Sequence, residues 1–183
     1  MGLPTLPDFK SYLRIETTAE DALCSTILLR AQSMLEAWID TPIVPESRTA
    51  VDRTEGNARA LVFPARPIGA VTVEDGEGDI VDPALYAVDG GSGLIYGRGE
   101  YRFLYGPYTV TANVGLALRN DYARLEPLLS QAILDLAADL YQRRTPGASS
   151  ETGSGTSISW DVSRETVARV MRDLRLLKLA VAL

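Results

Sequence analysis

The sequence contains no histidine. That removes Ser-His-Asp and Cys-His catalysis, imidazole-ligated zinc, and the commonest general base near neutral pH. There is one cysteine, Cys24, so an internal disulfide framework is excluded and a reducing compartment such as a cytoplasm fits. Lysine is almost as scarce, with Lys10 and Lys178 the only two among 18 basic residues. Neither glycine-rich run, "GGSGLIYGRG" or "GSGTS", therefore carries the lysine of a phosphate-binding loop. No apolar run approaches the roughly 18 residues of a membrane-spanning helix. The opening "MGLPTLPDFK" lacks the basic-then-apolar order of a secretory signal.

What is present is an ordinary globular composition, 46% hydrophobic and 23% charged over 183 residues. That length suits one domain with a real core, or two very small ones. The net charge of −6 argues against a protein that grips nucleic acid over its whole surface. The charge is also unevenly spread. From Val162 onward Arg164, Arg169, Arg172, Arg175 and Lys178 outweigh Glu165 and Asp173 by +3, so the remainder carries −9 (−6 less +3). A basic end on an acidic body suggests self-association or docking on an acidic partner.

Apolar spacing predicts a short helix over Leu6–Glu16, with Phe9, Tyr12 and Leu13 on one side. A longer helix follows, from a capping-box pattern at Thr18-Ala-Glu-Asp21 to about Asp40, where Thr41-Pro42 ends it. Leu23, Ile27, Ala31, Met34, Leu35 and Trp38 mark its stripe, and Cys24 beside them reads as a small buried hydrophobe. From about residue 48 to 115 the period becomes two, in runs such as "ARALVF", "AVTVED", "LYAVD", "GLIYGR" and "YTVTANV". Asp75-Gly76, Asp89-Gly90-Gly91 and Gly106-Pro107 punctuate these runs as turns, which implies a small antiparallel sheet of hairpins.

Helical spacing returns at Asp121 and continues through Arg144, with Leu125, Leu129, Ile133, Leu136 and Leu140 on one face. Pro127 suits a first turn, so the main helix is expected to start there. "ASSETGSGTSISWDVS" then breaks the pattern as a coil tether of small polar residues. A final helix, capped by Asp161 or Ser163, carries Val167, Val170, Met171, Leu174, Leu177 and Val181 in a stripe. The expected class is α+β: a helical frame of two long core helices and a C-terminal helix, with a small antiparallel β-hairpin sheet inserted. The expected divisions are a body over 1–144, a flexible tether over 145–160 and a docking helix over 161–183.

Catalytic chemistry finds no foothold. "DGEGDIVD" has carboxylates at alternate positions, but an EF-hand counted from Asp75 would need glycine at Ile80 and glutamate at Tyr86. A solvated hairpin tip fits it better. With 24 acidic residues, spacing selects no catalytic carboxylate pair. No catalytic residue, metal site or cofactor is expected. The last helix has two readings: it packs back on its own domain, or it docks on a partner, since "LLKLAVAL" is apolar nearly all round.

Four segments in order carry a resemblance. They are "LPDFKSYLRIETTAEDALCSTILLRAQSMLEAWIDTPI", "FPARPIGAVTVEDGEGDIVDPALYAVDGGSGLIYGR", "YTVTANVG" and "PLLSQAILDLAADLYQRR". The first contains Leu13-Arg14-Ile15, Glu20-Asp21, Leu23, Ala31 and Glu36. Together they resemble the tailed-bacteriophage head–tail connector (adaptor) proteins, portal-bound ring components of phage or phage-like particles. The likeness covers about residues 6–144. The C-terminus departs from it, being a longer helix than the family's short Leu-Leu-x-x-Tyr-Arg-like end.

The resemblance implies a structural protein and not an enzyme. It implies a homo-oligomeric ring, usually of twelve subunits, beneath the portal protein in the neck of the virion, with the subunits made in the host cytoplasm. Such a ring extends the DNA channel, lets DNA pass without specific binding, and receives the stopper or tail-completion protein; it touches no membrane. On that footing Trp160, Arg164, Arg169, Arg172, Arg175, Leu176, Lys178, Leu179 and Leu183 are expected to meet the portal or a neighbouring subunit. Asp75, Glu77 and Asp89 are expected at tail-side or outer hairpin tips. The alternatives are another neck component (a stopper or tail-completion protein), or a small monomeric α+β ligand-binding domain or hydrolase.

Overall fold

A computed structural model describes residues 2–143 and 162–181, and the class is α+β. The chain forms two compact units, one from Met1–Ile39 with Ala123–Leu183 and the other from Asp40–Tyr122. The second unit is thus inserted in the first, with bounds wider than the expected 48–115. The expected tether over 145–160 lies outside the described residues.

The first unit is helical. Helix α1 spans Leu6–Leu13 and begins with a capping box that the sequence reading missed: the Thr5 N–H donates to Asp8 Oδ2 (2.8 Å) and the Asp8 N–H to Thr5 Oγ1 (3.5 Å). Helix α2 spans Asp21–Ile39. The box expected at Thr18 does not form, because residues 18–20 make a turn in which the Thr18 carbonyl accepts from the Asp21 N–H at 3.2 Å. Asp40 follows with φ of 55°, the left-handed geometry that stops a helix.

Helix α3 spans Tyr122–Gln142 and holds Pro127 inside it, so it starts earlier than expected. Pro127 cannot donate to the Ala123 carbonyl one turn back, a loss that falls near the helix start, where Ala123 is exposed. Helix α4 spans Arg164–Val181. Phe9, Ile27, Ala31 and Leu35 are buried, as are Leu129, Ile133, Leu136 and Leu140 of α3 and Val170 and Leu174 of α4. Cys24 is a buried thiol outside any disulfide, packed among them.

The second unit holds two three-stranded antiparallel sheets rather than one. The first has the order β1-β6-β3, from Glu46–Thr54, Gly106–Val114 and Ile68–Glu74. The second has the order β2-β5-β4, from Ala60–Val62, Leu94–Gly97 and Tyr86–Asp89. Strand β6 is central, and its alternation buries Tyr108, Val110, Ala112 and Val114.

Gly106-Pro107, expected as a turn, opens this strand. Proline is tolerated in a central strand here because β3 pairs only as far as Thr109, leaving Pro107 opposite Arg53 of β1 alone. The sheets meet over one core of Leu61, Phe63, Ile68, Val73, Ile95 and Phe103 with the β6 residues. Gly90 lets them close: the Ile68 N–H donates to its carbonyl at 2.9 Å, and a Cβ there would lie 2.4 Å from the Ile68 oxygen.

Candidate interaction surfaces

The start of α4 is clasped to α3 by two carboxylates one helical turn apart. Ser163 caps α4, its Oγ accepting from the Thr166 N–H at 3.1 Å. Asp139 receives the Ser163 N–H (2.7 Å) and the Thr166 hydroxyl (3.4 Å), and also pairs with Arg143 (3.2 Å). Asp135 accepts from the Tyr12 hydroxyl and Gln131 Nε2 (2.8 Å each) and pairs with Arg169 (3.2 Å). Their side chains are only 11% and 17% exposed for Asp135 and Asp139 respectively. Burial on that scale makes hydrogen bonding to each oxygen necessary, and the surrounding donors supply it.

Tyr12 feels the same cluster. Its hydrogen bond to Asp135, with partial burial next, holds its phenol above the ordinary value. Around these groups lies an open cleft of about 510 Å³, lined by Tyr12, Asp135, Asp139, Gln142, Ser163 and Arg169 among others. Its carboxylates already hold protein donors, so the cleft is a seam beside a docked helix.

The predicted basic surface divides accordingly. Arg169 turns to Asp135, whereas Arg164 and Arg175 are exposed and Arg172 leans to its neighbour Asp173 at 3.6 Å. Thr166, Val170 and Leu174 are buried, so the first turns of α4 pack within the first unit. Leu176, Lys178 and Leu179 fall on α4, but their side chains, like Trp160 and Leu183 as a whole, lie outside the described residues.

The hairpin tips are held by their own acids. Asp75 Oδ1 accepts from the Glu77 and Asp79 N–H groups, both at 3.0 Å, which closes the turn after β3. Asp89 accepts from Ser92 Oγ (2.6 Å) and the Gly91 N–H (3.1 Å), and these bonds hold its carboxyl below the ordinary range. Glu77 is exposed at its tip. Asp75 and Asp89 thus shape their turns, and among the described residues no acidic group of three or more is placed to hold a metal ion.

A surface missed in the sequence lies where β1 ends and β6 begins. Leu104 and Tyr105 are 69% and 83% exposed, yet the backbone that presents them is fixed on both sides. Phe103 exchanges two 2.9 Å backbone bonds with Ala58, the Leu104 N–H donates to the Tyr108 hydroxyl at 2.9 Å, and the Thr54 hydroxyl donates to the Leu104 carbonyl. A rigid loop displaying two large apolar side chains is how contact anchors are built. "YRFLY" reads as a strand by composition, so only the break at Gly106 hinted at it.

No protein-family model matches the chain. No curated protein matches it either. Solved structures do, at the level of fold. The chain is similar to one in the neck of an empty gene transfer agent particle computed with C6 symmetry, at 20% identity and a TM-score of 0.57, over 83% of this chain and 86% of that one. It is similar to one in the virion of the native gene transfer agent particle, at 19% identity and a TM-score of 0.60, over 94% and 91%. A third likeness is to the neck of the native particle computed with C12 symmetry, at 17% identity and a TM-score of 0.56, over 82% and 87%. The fold is that of chains found in the necks and virions of these particles.

Proposed function

We propose that this chain is a structural head–tail adaptor of a phage or phage-like particle, assembled as a ring under the portal and receiving the stopper or tail. The observation that carries the reading is the fold likeness, which spans four-fifths or more of both chains in every comparison and includes two neck structures of C6 and C12 symmetry. The four sequence segments that resemble the adaptor family run through both units of the fold, and this supports the finer assignment.

Charge supports it too. A body carrying −9 would line a channel that repels DNA phosphates and lets them pass. The exposed Arg164, Arg172 and Arg175 would meet acidic groups on the portal or the next subunit, where complementary charge sets register. Localisation to the neck, and a role without catalysis, follow from the same reading.

Co-expression with the portal and capsid proteins of its own gene cluster tests it. The chain is expected to co-sediment with portal-bearing particles, and Arg172→Glu with Arg175→Glu is expected to leave a folded protein that sediments with them far less. These two side chains are exposed, so their reversal does not disturb the core. A wild-type chain that stays in the supernatant contradicts the proposal.

A further inference from the structure

The Leu104–Tyr105 loop stands on the β1 side of its sheet. The Thr54 hydroxyl donates to the Leu104 carbonyl, and a Cβ added at Gly56 would lie 3.6 Å from that of Tyr105. Two exposed arginines flank it: Arg53, in register with Pro107, and Arg59, next to the Ala58 that bridges Phe103. Among the described residues neither arginine has a carboxylate partner, and no strand pairs outside β1, so this edge is open. Glu55 is the one acid from residue 53 to 59, which leaves the flank net positive.

Across β6 the sign reverses. The turn after β3 sits against Pro107, since a Cβ at Gly76 would approach Pro107 Cδ to 3.2 Å. From Glu74 to Asp82 there are five acids and no base. Asp75 holds the Glu77 and Asp79 N–H groups, and Asp82 holds the Ala84 N–H at 2.8 Å. The carboxylates of Glu77 and Asp79 are exposed and, among the described residues, receive no donor. Beside them Ile80 is 66% exposed, on backbone fixed by its bridge to Glu74. In the order β1-β6-β3 the two flanks lie on opposite sides of the sheet, two strand spacings or about 10 Å apart.

We propose that the Leu104–Tyr105 flank of one copy seats on the Glu77–Ile80 flank of a second copy. This rests on the ring reading. Arg53 and Arg59 meet Glu77 and Asp79, while Leu104 and Tyr105 cover Ile80. Charge identifies the occupant: an apolar pair beside unpaired arginines calls for an acidic surface with an apolar centre, and this chain presents one. The two are different surfaces of one unit, so each copy gives and receives, the head-to-tail arrangement that closes into rings. Apolar contact supplies the attraction at the centre, and the charges around it set register and reject like against like.

Disulfide trapping between two variants of the full chain, each with one added cysteine, tests this. Glu55→Cys marks the first flank and Asp79→Cys the second; both positions are exposed, and the natural Cys24 is buried. Under mild oxidation at high concentration, cross-linked dimers are expected when the two are mixed and not from either alone. Arg53→Glu in the first chain is expected to lower their yield by about tenfold or more, and Glu77→Arg in the second to restore it. A mixture without cross-links, equal cross-linking of one variant with itself, or a yield that Arg53→Glu leaves unchanged overturns the proposal. No portal is involved, so this failure is distinct from failure to join particles.

Discussion

Asp139 ties together two pieces of chain: the end of α3 through Arg143, and the first turn of α4 through the Ser163 N–H and the buried Thr166 hydroxyl. Asp139→Ala strands those donors at a largely buried position and is expected to cost about 1–3 kcal/mol, measured by urea unfolding. Tyr12 offers a test by pH. Its neutral phenol is the form that donates to Asp135, so its contribution is complete below the ordinary phenol value and is lost as pH rises through the raised one. In Asp135→Asn the phenol is expected to ionise at lower pH than in the parent protein. The ultraviolet difference between each protein and its Tyr12→Phe variant reads this. These acids were not legible in the sequence because an i, i+4 aspartate pair on a helix looks the same whether it faces water or receives another helix. Only the folded α4 supplies the distinction.

Elements were legible where burial is periodic. The stripes of α2 and α3 and the inward residues of β6 are where apolar spacing puts them, since one buried face imposes its period on the sequence. The expectation failed where local chemistry was overridden. "ESRTAVDRT" became the nine-residue β1 although it lacks a continuous apolar face, because long pairing with β6 supplies its order. Two sheets replaced one because the runs pair out of sequence order, which no local signal encodes. Gly90 gives a test at this scale. Gly90→Ala must push the Ile68 carbonyl away and weaken the 2.9 Å bond that holds β3 to the β4–β5 turn. A loss of about 1–3 kcal/mol in urea unfolding is expected, with faster hydrogen exchange at the Ile68 amide.

For the whole molecule, the acidic body, the partly exposed basic α4, the open β1 edge and the Leu104–Tyr105 loop are all surfaces rather than pockets. At the C-terminus the apolar stripe of the last helix left both readings open, packing on its own domain or docking on a partner, and the structure buries Val170 and Leu174 within their own unit. Apolar spacing is the same for a helix packed at home and one packed on a partner. On the proposed reading, function at this scale depends on assembly. The most direct measurement is high-resolution imaging of the portal vertex in particles made with this chain. A closed ring of its copies seated directly under the portal is predicted. A vertex without the chain, or a ring separated from the portal by another protein, would contradict the account.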